Sequence, residues 1–338
     1  MAMERVPYLV GGGFEHSAEV MRAMLAASTS GAEGIVNAGD FKVRPLSVPG
    51  TSVRVAPGNA LIRNSYGGGQ AQTYACRAGS ETEVPIEATG SSGARADLIV
   101  ARIDDPTYEG GAFDPLTFEA AKFEVIRGVN TNQSSLAGLG LTYPAIPLAR
   151  INIPASTGTI TSSMITSLRS IALPRKERHL FAHALTGDEE RFQLTSTGEN
   201  GMAWPEPQEL SGTGAWRVDV PEWAQRVRVV CMWAGVRMDT QTGSNAAGWV
   251  WGRIGPQADT SGISTQVTRW DLAARAGGVY REVMMAADER NVPAGLRGRN
   301  VACYLRGRVI NTGDRDSYPV LDNASSVTMD IEFFETAV

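Results

Sequence analysis

Cysteine is scarce in this sequence. The three cysteines, Cys76, Cys231 and Cys303, lie far apart, and no two of them have the CxxC spacing of a metal site. Small domains that depend on disulfides carry many closely spaced cysteines. The sequence therefore predicts neither a disulfide framework nor a cysteine-bound metal, and we expect the three thiols to be free and buried.

Long apolar runs and an excess of positive charge are also missing. No segment approaches the roughly 20 apolar residues that span a bilayer, and the start, MAMERVPYLVGGG, lacks a signal-peptide core. The net charge is −5, with 31 Lys and Arg against 36 Asp and Glu, so a nucleic acid would meet no global basic field. We expect a soluble product made in a cytoplasm, with no nucleic-acid partner and no membrane insertion.

Histidine offers few candidates for catalysis or metal binding. Of the three in the chain, His179 and His183 are four residues apart in HLFAHAL. That spacing pairs metal ligands on a helix, but the segment alternates like a strand, and two imidazoles without a third ligand make a poor zinc site. We expect two partly exposed histidines, with no metal and no cofactor in the protein.

Familiar catalytic motifs are absent as well. The sequence contains no G-x-S-x-G, no P-loop, no G-x-G-x-x-G and no H-E-x-x-H. Acidic residues concentrate in two loops. The alternatives to plain solvation are a glycosidase carboxylate pair in the first loop and a calcium site in the second. The acidic residues are Asp104, Asp105, Glu109 and Asp114 in the first loop, and Asp314, Asp316 and Asp322 in the second. Catalytic carboxylates need fixed separations on rigid elements, so we expect solvated loops and no enzyme.

Turn-forming residues and alternating segments are plentiful. The chain has 37 glycines and 17 prolines, which is typical of short strands joined by tight turns. Apolar and polar residues alternate in VTMDIEFFE, and ADLIVARID and RVRVVCMWA are further strand-like runs. A chain of 338 residues exceeds the size at which one core usually keeps growing. We predict an all-β fold of two β-sandwich or jelly-roll-like domains.

An N-terminal helix is predicted in SAEVMRAMLAASTSG, with Ser17 as its N-cap and Gly31 at its end. The predicted ranges are a helical segment over 1–39, a β anchoring domain over 40–158, a helical linker over 159–175 and a β-sandwich over 176–338.

The linker is predicted to hold a second helix, from about residue 162 to 172, which Pro174 ends. Four apolar residues recur at helical spacing on one face. They are Met164, Ile165, Leu168 and Ile171. Because a helix this short is marginal in water on its own, its apolar face either forms an oligomer interface between identical chains or caps the edge of its own domain.

Tryptophan is confined to the C-terminal half. The chain has seven, at positions 204, 216, 223, 233, 249, 251 and 270. Indoles fill cores, anchor subunit interfaces and form stacking platforms for sugar rings, and all three alternatives remain open here. Trp249 and Trp251 are the candidate ligand-binding pair, because on a strand they share one face about 7 Å apart.

Two segments carry a family resemblance, GDFKVRPLSVPGTSVRVAPGNALIRN and GTITSSMITSLRSIALPR. They resemble the minor tail or baseplate proteins of tailed, siphovirus-type phages that infect actinobacteria. The resemblance covers residues 17–178 well and the C-terminal half only by architecture. The residues that carry it are Val53, Val55, Gly58, Ala60, Ile62, Ile160, Ile165, Leu168, Arg169, Pro174 and Arg175.

The resemblance implies a structural protein of the virion, located at the tail tip or baseplate. For such a protein we expect a homotrimer, other tail and baseplate proteins as partners, and a host cell-surface glycan as a possible receptor. Two alternatives remain open at this point. One is a tail-associated glycan hydrolase, and the other is a carbohydrate-binding module without a role in the virion.

Overall fold

The structure is a computed structural model, and it describes residues 17–67, 71–91, 93–110, 112–114, 116–186, 192–207, 214–240, 246–256, 261–272, 278–310 and 318–337. It divides into two compact units. The first unit has two segments, one that ends at Pro174 and one that begins at Thr336. The second unit comprises Arg175–Glu335. No helix among the described residues is long and apolar enough to cross a membrane.

The described residues of the first unit form two helices, the second a single turn, together with ten strands and one 3-10 turn. In chain order these are α1 (Ala18–Ser28), β1 (Gly34–Ile35), β2 (Val43–Pro45), β3 (Ser52–Val55), β4 (Gly58–Arg63), β5 (Thr73–Ala78), β6 (Thr82–Pro85), β7 (Arg95–Ile103), α2 (Pro106–Glu109), β8 (Ala121–Val129), β9 (Ala145–Ile153), a 3-10 turn (Ser162–Met164) and β10 (Ile165–Ser167). They form antiparallel sheets in the orders β1-β4-β5, β2-β3-β6 and β10-β9-β7-β8.

Helix α1 forms as predicted. The Ser17 hydroxyl accepts a hydrogen bond from the Glu19 backbone N–H at 3.2 Å, which satisfies one of the donors that the first turn leaves open. At the other end, Gly31 adopts a φ of +68°, and its N–H donates to the Ala26 carbonyl at 2.8 Å. A glycine adopts this left-handed conformation without steric cost, so the chain turns away there.

The helix predicted from 162 to 172 is wrong. A single 3-10 turn ends at Met164, and Ile165–Ser167 is strand β10, with Ile165 opposite Ile151 of β9. Isoleucine and threonine favour the pleated conformation, and the free edge of β9 offers backbone hydrogen bonds that an isolated helix cannot match. The predicted helical linker over 159–175 is therefore an edge strand with its flanking loops.

The four apolar residues of that predicted face belong to the first unit itself. Ile171 is buried in the unit's core, and Met164 and Ile165 pack against that core. The Leu168 backbone N–H donates to the Leu148 carbonyl at 3.0 Å. The helical face on which the predicted oligomer interface was based therefore does not exist. The four residues complete their own unit.

The second unit is a two-sheet sandwich. Its strands are β11 (Lys176–Ala184), β12 (Phe192–Gln193), β13 (Met202–Ala203), β14 (Trp216–Asp219), β15 (Arg226–Thr240), β16 (Ala246–Ile254), β17 (Ile263–Ser264), β18 (Thr268–Leu272), β19 (Gly278–Asn291), β20 (Asn300–Val309), β21 (Val320–Leu321) and β22 (Ser326–Phe334). One sheet, the β15 sheet, has the order β11-β22-β15-β21-β12 with β19 on β15. The other, the β16 sheet, has the order β13-β20-β16-β17 with β14 on β20 and β18 on β16.

The core of the second unit lies between these sheets. Val229 and Cys231 of β15 and Val250 of β16 are fully buried there. Gly252 of β16 faces Cys231, and a Cβ at that position would lie 2.4 Å from the Cys231 Sγ. Cys231 and Cys303 are buried free thiols as predicted, whereas Cys76 is half-buried. The mostly β architecture with an N-terminal helix confirms the predicted fold class.

Candidate ligand-binding site

The seven tryptophans divide between the core and one outer surface. Four indoles lie in the core of the second unit, and a fifth packs against it. These five are Trp204, Trp216, Trp233, Trp270 and Trp223. Trp249 and Trp251, both on β16, lie outside that core cluster. The pair predicted to share a strand face is therefore separated from the other five by its position.

Strand alternation places this pair on the outer face of the β16 sheet. Successive side chains of a strand point to opposite faces. Val250 and Ile254 of β16 belong to the core, so Trp249, Trp251 and Arg253 face the other way. The result is an apolar inner row and an outer row of two indoles followed by a guanidinium.

Strand β20 adds two more arginines to the same outer face. In the antiparallel register, Arg308 lies opposite Trp249 and Arg306 lies opposite Trp251. The Arg308 guanidinium carbon is 4.4 Å from the centre of the Trp249 ring, and that of Arg306 is 5.9 Å from the centre of the Trp251 ring. Both distances are within the range of cation–π attraction. We call Trp249, Trp251, Arg253, Arg306 and Arg308 the Trp–Arg face.

Backbone carbonyls hold Arg306 in place. Its Nε donates to the Asn200 carbonyl at 3.1 Å, and its Nη2 donates to the Gly201 carbonyl at 3.2 Å. Gly201 has a φ of +59°, and a Cβ there would lie 2.5 Å from the Trp251 ring and from the Gly307 carbonyl oxygen. Only glycine allows this backbone segment to approach the indole so closely. The side chains of Arg306 and Trp251 are consequently buried.

Arg253 is fixed in a comparable way. Its Nη1 donates to the Ser264 hydroxyl at 2.8 Å, and its Nε donates to the Pro256 carbonyl. Arg253 is 8% exposed and Arg306 is 4% exposed. Burial, together with the nearby charge of Arg253, lowers the pKa of Arg306 from its ordinary value. Two positive charges are thus held close together with little access to water.

A cavity of about 220 Å³ opens on this face. Its lining includes Glu199, Trp251, Arg253, Ser264, Arg306 and Arg308. Flat indole surface combined with several hydrogen-bond donors fits a ligand that has both a ring and polar groups. Glu199 is the one carboxylate among the described lining residues, whereas a glycosidase uses two carboxylates.

The first predicted acidic loop contains tightly paired carboxylates. Asp104 is buried and forms ion pairs with Arg102 and Lys122. Asp105 is also buried, caps α2 by accepting from the Thr107 N–H at 2.9 Å, and accepts from the Tyr74 hydroxyl at 2.8 Å. The expectation that this loop is simply solvated is wrong for these two residues.

The rest of that loop is more open. Glu109 accepts a hydrogen bond from the Tyr66 hydroxyl at 2.6 Å. Asp114 is exposed and bonds to the backbone of its own loop, through the Leu116 N–H at 3.0 Å. Solvation therefore describes Asp114 better than it describes the paired residues.

The second acidic loop is described only in part. Asp314 and Asp316 lie outside the described residues. Asp322 accepts two hydrogen bonds from Arg281, each at 2.8 Å, and these hold the pKa of its carboxyl below the usual range. Because it is buried, the expectation of a solvated carboxylate is wrong for Asp322.

The histidine pair lies on strand β11, where His179 and His183 are both half-buried. Four residues of strand span about 13 Å, so one ion cannot contact both rings. His179 Nε2 is 2.8 Å from a Glu177 carboxylate oxygen. In the described part of the chain, no three His, Cys, Asp or Glu side chains come together in a way that could hold a metal ion.

Sequence reasoning selected the two indoles but missed the three arginines beside them. A signal was present in WVWGRI, where Trp249, Trp251 and Arg253 follow one another at the strand period of two, and in YLRGRV, where two arginines do. That period places Arg306 and Arg308 on one face of β20. The pairing of β20 with β16, which lie about fifty residues apart in the chain, determines that this is the face of Trp249 and Trp251.

No protein-family model and no curated protein matches this chain. Solved structures to which it is similar include the viral particle of infectious bursal disease virus, at 11% identity and a TM-score of 0.25, covering 90% of this chain and 66% of that one. The chain thus spans just under two thirds of the length of that viral protein.

Two further solved structures are similar at the same level. One is the stem and receptor-binding domain of spike protein P1 from bacteriophage PM2, at 8% identity and a TM-score of 0.21, covering 72% of this chain and 90% of that one. The other is the tandem CBM22 domain of Paenibacillus barcinonensis Xyn10C, at 12% identity and a TM-score of 0.21, covering 90% and 100%. Similarity at these TM-scores carries no argument about function, which rests on the site.

Proposed function

We propose that this chain is a non-catalytic structural protein of a phage tail tip or baseplate, and that its second unit binds the host surface through the Trp–Arg face. The resemblance of residues 17–178 to minor tail proteins supports the location in the virion. The Trp–Arg face supports the binding role. On this proposal the partners are other tail proteins, further copies of the chain and a host cell-surface glycan.

The observation that carries the binding role is the position of Trp249 and Trp251. Five of the seven indoles are buried in or against the core of the second unit, which is where the hydrophobic effect places them. The remaining two lie on an outer sheet face next to charged groups: Trp249 is half-buried, and Trp251, although only 7% exposed, lines the cavity. Flat aromatic surface beside polar donors is how proteins present a platform to a ring-shaped polar ligand.

The location is tested by electron microscopy of intact virions labelled with a gold-conjugated antibody against the chain. We expect label at the distal end of the tail. Label on the capsid, or virions without label, would overturn the assignment to the tail. A carbohydrate-binding module without a virion role also predicts unlabelled virions, so the same image separates that alternative.

The binding role is tested with the intact chain and cells of the actinobacterial host. We expect sedimenting cells to carry the protein down, and the Trp249→Ala variant to lose most of this association. Phe113 is a matched control, because it is a 52% exposed aromatic side chain of the first unit. Equal binding by Trp249→Ala and Phe113→Ala would exclude the Trp–Arg face as the adhesive surface.

The homotrimer is a further part of the proposal, and it rests on the resemblance to tail proteins, because closed symmetry is the rule in such assemblies. Sedimentation equilibrium of the intact chain should give three times the mass of one chain. A monomer at micromolar concentration would contradict a self-assembling trimer.

A further inference from the structure

The cavity on the Trp–Arg face has a charge arrangement that points to the class of its ligand. We propose that it binds the negatively charged group of an acidic sugar unit, a carboxylate or a phosphate ester, within an anionic polysaccharide. This inference rests on the proposed function and names the chemistry that the same site recognises.

The first argument is electrostatic. Arg253 and Arg306 both line the cavity, and each is less than a tenth exposed. Bringing like charges together away from water is unfavourable, and an anion placed beside them reverses that cost. Burial and the charge of Arg253 lower the pKa of Arg306, in line with this proximity.

The second argument is preorganisation. The bonds from Arg306 to Asn200 and Gly201, and from Arg253 to Ser264, fix the planes of both guanidinium groups. Their positive charges are therefore held in fixed positions beside the cavity. Because these side chains are already ordered, the protein would lose little side-chain entropy when an anion binds next to them.

Arg308 adds a more accessible charge at the same cavity. It is half-buried, lies against the Trp249 ring, and pairs with no carboxylate among the described residues. Its positive charge is therefore available to a ligand in the cavity, which Arg308 lines. The net charge of the whole chain is −5, so the three arginines at this cavity run against the chain's overall charge.

The third argument concerns the sugar itself. The Trp251 ring lines the cavity beside the arginines, and Glu199 lies exposed at its edge. An indole offers a stacking surface for a ring, and a carboxylate accepts hydrogen bonds from hydroxyl groups. A free inorganic anion would use neither. At about 220 Å³ the cavity is smaller than the roughly 300–1,000 Å³ of drug-sized sites, so it accommodates one charged unit of a longer chain.

The experiment is calorimetric titration of the intact chain with three polymers: polygalacturonate, poly(glycerol phosphate) and neutral dextran. We expect binding to at least one of the two anionic polymers that weakens as salt is raised, and at least tenfold weaker binding to dextran. The tighter of the two anionic polymers identifies carboxylate or phosphate as the recognised group. Equal affinity for dextran, or affinity that salt does not change, would overturn the inference.

Single-residue variants test whether the anionic polymer binds at this cavity. Arg308→Met should weaken binding of the anionic polymer at least tenfold, and Arg308→Lys, which keeps the charge, should recover part of that loss. Arg178→Met is the control, because Arg178 is an exposed arginine on the β15 sheet of the same unit. Unaltered affinity in Arg308→Met would place the anion elsewhere and overturn the proposal.

The outcomes also separate this inference from the function on which it rests. Host-cell binding that depends on Trp249, without preference for an anionic polymer, would overturn the inference and leave the adhesive function in place. Binding of the anionic polymer combined with unlabelled virions would retain the inference and overturn the assignment to a phage tail.

Discussion

Arg102 and Arg308 are the same side chain in two different environments. Arg102, on β7 of the first unit, forms ion pairs with Asp104 and Glu124, the latter with Nη1 2.9 Å from the carboxylate oxygen. Burial alone would lower the pKa of Arg102, but hydrogen bonds to Glu124 and Asp104 raise it. Its charge is matched within its own unit.

Arg308, on β20 of the second unit, lies over the Trp249 ring with the guanidinium carbon 4.4 Å from the ring centre. An indole holds a cation in position but does not neutralise it. Arg102 also lies over an aromatic ring, 3.7 Å from the centre of Tyr143, so the comparison teaches that the carboxylates, and not the stacking, make an arginine part of the scaffold, whereas stacking alone leaves its charge available to a ligand.

The largest effect is expected when the scaffold arginine is removed. Arg102→Met removes one of the two cations that pair with the buried Asp104, together with the ion pair to Glu124, and losing both charged contacts should destabilise the first unit by about 3 kcal/mol. Arg308→Met should change stability by less than about 0.5 kcal/mol, since no ion pair is lost.

The measurement is urea unfolding with two probes. Tryptophan fluorescence reports the second unit alone, because all seven tryptophans lie there. Far-ultraviolet circular dichroism reports both units. Arg102→Met should shift the circular dichroism transition and leave the fluorescence transition in place. Equal losses in the two variants would remove the distinction between scaffold and ligand-binding arginines.

A smaller effect is expected at Gly201, which shapes the Trp–Arg face. In Gly201→Ala the new Cβ meets the Trp251 ring and the Gly307 carbonyl, at a φ that alanine adopts only with strain. We expect a loss of about 2 kcal/mol in the fluorescence-detected transition, together with weaker polymer binding. Gly198→Ala is the matched control, because the nearest atom to its added Cβ would be 4.0 Å away. Similar behaviour of the two variants would contradict the close approach.

Lowering the pH should reveal how much Asp322, whose carboxylate pairs with Arg281, contributes to the stability of the second unit. Because the hydrogen bonds from Arg281 lower the folded-state pKa of Asp322, the stability it supplies is fully present above its unfolded pKa, about 3.9. That stability is lost as the pH falls through the folded pKa. Asp322→Asn should cost about 1.5 kcal/mol at neutral pH and flatten the decline in stability below pH ~4. A decline as steep as in the unmodified chain would show that other groups cause it.

Some of this molecule was predictable from local sequence, because its signals act over a few residues. Period-two alternation identified strands such as β22, and Ser17 and Gly31 marked the ends of α1. Alternation also placed Trp249 and Trp251 on a single face of β16.

Other features depend on partners distant in the chain. The spacing of Ile165 and Leu168 fits a helix, but the open edge of β9 makes strand pairing more favourable. The Trp–Arg face requires the register of β16 against β20, which fixes Trp249 opposite Arg308. No local pattern specifies that register, so the arginines could be identified only once the sheet was assembled.

The smallest effect is expected at an exposed ion pair whose hydrogen bonds are about as short as the one between Arg102 and Glu124. Arg178 donates twice to Asp330, at 2.8 Å each, yet its side chain is 60% exposed, against 19% for Arg102. Water and salt screen a pair that is so accessible, and ordering two long side chains offsets the remaining attraction. The fluorescence-detected unfolding midpoint of Arg178→Met should therefore match that of the unmodified chain at physiological salt. A loss as large as that of Arg102→Met would mean that bond geometry, and not burial, determines which arginines form the scaffold.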